Sequence, residues 1–299
     1  MARPTSFDRR QTMLRPDYEI QHKLDTALED VQLHHHDFYE LIYLVSGDVT
    51  YSVESRVYRV MPGNVLLISP QELHSGRIRA DMAPYERYVL WVAPAFAERL
   101  STRRTNLMEL FSGGTGRCRL LRLPLRLRKA VRDCMEAILQ ESETDAAAYG
   151  AEMMAPALMM QLFVILGRVA KEQTGPEYEP EQEGSSAALV TSVTDYLNLH
   201  YNETLSLDRL AEQFFVSKYH ISHAFTQQVG TSVYRYVQKK RLQIARQLLA
   251  QGMQSSHVCT QCGFADYAGF FRAFKAEYGL APREYVTQLR QRDAAAARG

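Results

Sequence analysis

Four side chains early in the chain have the types and spacing to do chemistry: His34, His36 and Glu40 in close succession, and His74 further on. Successive side chains of a strand point to opposite faces, so His34, His36 and Glu40 share one face if residues 34–40 form one strand. Imidazoles and a carboxylate on such a face, with His74, could ligate a divalent metal and leave coordination positions open. The same groups could instead hydrogen-bond a small polar ligand, or one another as a packed core. Tyr43, Tyr51, Arg87 and Trp91 are further candidates to line a polar pocket. One reading is a pocket for a small polar ligand lined by His34, His36, Glu40, His74, Tyr43, Arg87 and Trp91 without a cofactor. A metal held by His34, His36, Glu40 and His74 is the alternative.

Two other patterns suggest chemistry and carry less. Cys259 and Cys262 form a CxxC, which could be a redox pair or half a zinc site. No second cysteine pair lies near to complete a zinc site, and both residues fall on an apolar helix, so they are expected to be core. The glycine-rich SGGTGR at 112–117 lacks the Lys-Ser/Thr of a phosphate loop and is expected to be a surface loop.

The elements that must hold these residues change character along the chain. Residues 1–16 read as a mobile arm. From about 17 to 93, short alternating apolar runs are separated by turn residues at 46–48, 54–55, 61–64 and 83–84, the pattern of an antiparallel sandwich or barrel. From 125 to 172 the period becomes helical. One helix carries Leu127, Val131, Cys134 and Ile138, and a second, with Pro156 in its first turn or kinking it, contains the most apolar stretch, 155–170. That stretch is too short to span a bilayer and is expected to be a buried helix. Residues 173–186 form an acidic linker with Pro, Gly and Ser.

Residues 205–230 and 255–282 each read as a helix, a tight turn and a second helix, joined by a long helix that includes Tyr236, Leu242, Ala245, Leu248 and Leu249. Ser206, Ser217 and Asp266 are placed as N-caps. In the second helix of the first unit, Ile221, Ala224 and Phe225 face inward, leaving Lys218, Tyr219, Ser222, His223 and Thr226 outward. In the second unit Phe270 and Phe274 face inward, leaving Tyr267, Ala268, Phe271, Arg272 and Lys275 outward. A recognition helix sets such side chains against base edges in the major groove, where Arg272 could make a bidentate pair with guanine.

The order Gly263-Phe264, Phe270, Arg272, Phe274, Lys275, Gly279, Pro282 and Tyr285 resembles the AraC/XylS family of bacterial transcription regulators over residues 187–290. His34, His36, Glu40 and Gly47 likewise resemble the first cupin motif, and Pro70 to His74 an incomplete second one. The fold implied is an N-terminal antiparallel β-barrel of cupin type followed by helices, then an all-α double helix-turn-helix. The domain bounds are 1–124 for the effector barrel, 125–172 for a helical dimerisation segment, 173–186 for the linker, 187–290 for the DNA-binding domain and 291–299 for a disordered tail. The resemblance implies double-stranded DNA, a small-molecule effector, a homodimer and contact with RNA polymerase as partners. It implies no enzyme activity; a metal-dependent cupin enzyme or metal sensor fused to a DNA-binding domain is the alternative. His223, Thr226, Val233, Ser255, Cys259 and Gly269 depart from common family residues. Ser255 and Gly269 in particular imply a looser second unit, since helical Gly costs about 1 kcal/mol relative to Ala.

Charge agrees with this division. The chain carries net charge +1, but residues 187–299 hold 13 Lys and Arg against 8 Asp and Glu, whereas the preceding part holds 22 against 26. The opening residues MARPTSFDRR lack the apolar core of a secretion signal, so a cytoplasmic location without membrane attachment is expected.

Overall fold

Alternation along the early strands produces two facing sheets. The computed structural model describes residues 12–25, 30–79, 84–111, 119–145, 147–173 and 185–296, in two units spanning 1–183 and 184–299. The first unit contains β1 (Tyr18–Asp25), β2 (Val31–His34), β3 (Tyr39–Ser46), β4 (Val49–Val53), β5 (Arg56–Val60), β6 (Asn64–Ile68), β7 (His74–Ile78), β8 (Tyr85–Val92) and β9 (Leu120–Arg122). One antiparallel sheet has the order β1-β8-β3-β6-β9 and the other β2-β7-β4-β5.

Each strand of the larger sheet divides its side chains between two cores. Leu41, Tyr43, Val65, Leu67, Tyr88 and Leu90 join the core beneath the helices, whereas Ile42, Leu44, Leu66 and Ile68 face the smaller sheet and meet Val49, Tyr51, Val53 and Tyr58. The helical side is covered by α1 (Pro94–Leu100), a 3-10 turn (Leu107–Leu110), α2 (Leu125–Glu143) and α3 (Ala151–Glu172). Val131, Met135 and Ile138 of α2 and Met159, Leu162, Phe163 and Leu166 of α3 are buried there.

Several sequence expectations change here. The apolar stretch at 155–170 belongs to a 22-residue helix, long and apolar enough to cross a bilayer by length and composition. It is not buried all round: its inner face packs in the core, while Met153, Met154 and Met160 are exposed. Pro156 lies inside α3, beyond its first turn. The end of the expected N-terminal arm is docked, since Arg15 donates to the Ser142 carbonyl at 2.8 Å. The strand β9 was not expected. Residues 112–117 and most of 173–186 lie outside the described residues.

The second unit is entirely helical among the described residues: α4 (Ser185–Leu199), α5 (Leu207–Phe214), α6 (Lys218–Val229), α7 (Val233–Ala250), α8 (Ser255–Gln261), α9 (Tyr267–Tyr278) and α10 (Pro282–Ala296). The helix α4 starts within the expected linker, and α10 runs through Ala296, so residues 291–296 are helical and not a disordered tail. Leu242, Ala245 and Leu249 of α7 share a core with Val258, Cys259, Cys262, Phe270 and Phe274.

Candidate functional sites: a polar lumen and two exposed recognition helices

The HxHxxxE segment is not one strand. Its first histidine ends β2 in the smaller sheet, residues 35–38 cross over, and Glu40 lies on β3 in the larger sheet. His34, His36 and Glu40 therefore meet because the two sheets face each other, not through strand alternation. Pairing of β2 with β7 sets His34 directly opposite His74. The ring centroids of His34 and His74 are 4.0 Å apart, and those of His36 and His74 are 4.9 Å apart.

A common pattern orients all three rings. The Nδ1 atoms of His34, His36 and His74 lie 2.8, 2.9 and 2.8 Å from the carbonyl oxygens of Gln32, Phe38 and Glu72. A carbonyl only accepts, so each Nδ1 carries a ring proton, and Nε2 is an acceptor in the neutral ring and a second donor in the charged one. The Nε2 atoms of His36 and His74 face Oε2 of Glu40 at 3.3 and 3.4 Å. The other carboxylate oxygen, Oε1, accepts from Trp91 Nε1 at 2.8 Å. Phe38 stacks on His36, with centroids 4.0 Å apart, and packs against Trp91.

Burial, followed by the neighbouring His74, pushes His34 well below the ordinary imidazole range, and burial lowers His36. Burial alone would raise Glu40, but the facing His36 and His74 outweigh it and hold the carboxyl well below its usual range.

The proposed lining residues divide. Arg87 and Trp91 are buried on the inward side of β8; Arg87 pairs with Asp25 at 2.6 Å and lies 4.0 Å over the Tyr85 ring. The hydroxyls of Tyr51 and Tyr85 are 3.2 Å apart. Tyr43 does not belong to the lumen. Its side chain lies in the helix-facing core, where its hydroxyl donates to the Arg128 carbonyl at 3.4 Å. Asp25, Phe38 and Tyr85 were missed. Alternation along β8 would have placed Tyr85 with Arg87, but Asp25 enters through cross-strand pairing that leaves no local signal.

The second unit presents its candidates differently. Ser206, Ser217 and Asp266 accept from the backbone amides of Arg209, His220 and Gly269, as their spacing predicts. On α6, Ile221, Ala224 and Phe225 are buried, whereas Lys218, Tyr219, His223 and Thr226 are exposed and Ser222 half-buried. On α9, Phe270 and Phe274 are buried, with Tyr267, Ala268, Phe271, Arg272 and Lys275 exposed. Lys218 forms an exposed ion pair with Asp208 at 2.8 Å. In α5 only Leu210 is fully buried; Leu207, Ala211 and Phe214 are half-buried.

The CxxC is core. Cys259 and Cys262 are buried, and burial pushes the Cys262 thiol up to about 12.

Comparison with known proteins matches residues 23–163 to the AraC-like ligand binding domain and residues 210–288 to a helix-turn-helix domain. The transcriptional activator RhaS of Klebsiella pneumoniae is 26% identical over 255 residues, covering 84% of this chain and 86% of its own. The uncharacterized transcriptional regulator YbfI of Bacillus subtilis is 26% identical over 234 residues, covering 78% of each. Among solved structures, ToxT from Vibrio cholerae aligns over 92% of this chain and 99% of its own, at 12% identity and a TM-score of 0.35.

Proposed function

Because the chain belongs to the AraC family of transcription regulators, we propose that a small polar effector in the lumen of its first unit controls DNA binding by its second, and that it acts as an activator. The observation that carries the DNA half is the repeated division of α6 and α9. Each is N-capped, buries an aromatic inner face and exposes a polar or cationic outer one. Two such helices can enter successive major-groove segments about one helical turn apart. The proposed DNA-contacting set is Lys218, Tyr219, Ser222, His223 and Thr226 with Tyr267, Ala268, Phe271, Arg272 and Lys275.

Buried His, Glu, Arg, Tyr and Trp groups over an apolar floor support a polar effector such as a sugar or related metabolite. The effector-contacting set becomes His34, His36, Glu40, His74, Arg87 and Trp91, with Tyr51 and Tyr85. Activation is supported by the similarity to RhaS activators. The chain is read as a binding protein and not an enzyme, in the cytoplasm where its DNA lies, with RNA polymerase as the partner of an activator.

Selection of the full chain on random duplex DNA tests this reading. It should recover a two-part site, with affinity falling as salt rises because phosphate contacts release counterions. Recovery of no enriched sequence would overturn it. For the effector half, a sugar or hydroxy acid from a metabolite panel should raise the melting temperature of the first unit and alter DNA affinity.

A further inference from the structure

We propose that Arg241 of α7 locks the two helix-turn-helix pairs into one orientation, so that the protein reads the spacing between two DNA segments as well as their sequences. The inference rests on the DNA-binding reading above and names the positioning residue that gives it a fixed span.

A long helix does not by itself fix what is attached to its two ends. The 18 residues of α7 rise about 27 Å. Each recognition helix has its own support: α6 packs chiefly on α4 and α5, and α9 on α7, α8 and α10. A small roll of either pair about α7 would therefore shift one recognition helix relative to the other.

Three contacts oppose that roll. Half-buried Arg241 donates from Nε to the Tyr201 carbonyl and from Nη2 to the Glu203 carbonyl, each at 2.7 Å. Both carbonyls belong to the loop between α4 and α5, which leads into the first helix-turn-helix pair. Between them lies Asn202, and a Cβ on Gly263 would come within 2.3 Å of its backbone oxygen. Gly263 closes the turn between α8 and α9, so backbone of the second pair rests directly on backbone of the first. Two residues before Arg241, Lys239 pairs with Glu277 of α9 at 2.6 Å, both side chains being largely buried. The helix α7 is thus fastened to both pairs.

Arginine suits this junction. Its planar fork meets two carbonyls at once and keeps its charge when partly buried. The loop that it grips is held in turn, because Glu203 pairs with His200 at 2.5 Å and with Arg209 of α5 at 2.9 Å. An orientation set before binding spares the ordering cost on DNA. A site with the wrong spacing must then break the junction or leave one recognition helix without its contacts.

The test uses the full chain and the two-part duplex that it selects from random DNA, remade with one base pair added or removed between the parts. Each base pair displaces the second part by about 3.4 Å and about a tenth of a turn. The wild-type chain should lose about tenfold or more in affinity, the scale of a mismatched base pair. Arg241→Met removes both bonds and keeps much of the bulk. Confirmed folded by circular dichroism, it should bind the selected spacing less tightly and narrow the difference between spacings to about threefold or less. Lys239→Met should narrow it in the same direction. Arg241→Lys, which keeps the charge without the fork, should fall between wild type and Arg241→Met, and decides the matter if the methionine variant does not fold. A folded Arg241 variant that is weaker at every spacing, with the wild-type ratio intact, would reduce the residue to ordinary support and overturn the proposal. A wild-type chain indifferent to spacing would overturn it too, while leaving the DNA-binding reading in place. Selection of no sequence at all would remove that reading and the proposal together.

Discussion

Arg272 and Lys218 illustrate how two exposed cations can serve one surface in different ways. Arg272 carries a planar fork that matches the paired acceptors of guanine, whereas Lys218 is a point charge near the start of α6 and already paired with Asp208. Arg272→Ala should therefore cost about 1–3 kcal/mol and relax selectivity at one base position. Lys218→Ala should weaken all sequences about equally. Binding of a library of single-base operator variants separates the two outcomes; a uniform loss for Arg272→Ala would remove it from the base-reading set. At Cys262 the expectation is inertness. A thiol at about 12 is almost wholly protonated at pH 8, and thiolate is the reactive form. Peptide mapping after brief iodoacetamide treatment at pH 8 should find Cys262 unlabelled in the native chain and labelled after denaturation. Rapid native labelling would reopen the redox reading of the CxxC.

At the scale of elements, the second helix-turn-helix depends on one residue that could not be another. Gly263 closes the turn between α8 and α9 with φ +76°, and a Cβ there would come within 2.3 Å of the Asn202 backbone oxygen. Left-handed strain and a backbone clash act together, so Gly263→Ala should cost about 2–4 kcal/mol of stability in the second unit. Gly269 is the opposite case. It lies in the first turn of α9, where an added Cβ would make only ordinary contact, 3.5 Å, with the Asp266 carboxylate. Gly269→Ala should stabilise that unit by up to about 1 kcal/mol. Urea unfolding of both variants checks the pair; equal effects would refute the geometric distinction. The departure at Ser255 is partly offset, since its hydroxyl lies 3.1 Å from that of Tyr267.

For the molecule as a whole, the outer face of α3 bears on assembly. Met153, Met154 and Met160 are exposed on a helix whose opposite face is already committed to the core. Flexible thioether side chains suit an adaptable contact, and a second copy of the chain is the proposed partner. A dimer would tether two DNA-binding units and raise the effective concentration of the second at paired half-sites. Sedimentation of the full chain should show a dimer at micromolar concentration, and the triple substitution of Met153, Met154 and Met160 by Lys should give a folded monomer. A monomeric wild-type chain would rule this assembly out.

Local periodicity and cap chemistry determined most of the second unit. Ser206, Ser217 and Asp266, with the inward stripes Ile221/Ala224/Phe225 and Phe270/Phe274, act within a few residues, so the sequence alone marks both helix pairs and their exposed faces. The early strands, too, were legible from alternation and turn residues, and so were the chemical types His34, His36, Glu40 and His74. What brings those four together was not. A reading that put residues 34–40 on one strand reached the right cluster for the wrong reason, since the chain changes sheets between His34 and Tyr39. Tyr43 went to the helical core, and Asp25 came in as the partner of Arg87, through β-pairing between positions far apart in sequence. A strand's pattern states that it has two faces; only the packing of sheet on sheet and helix on sheet decides which face becomes the lumen.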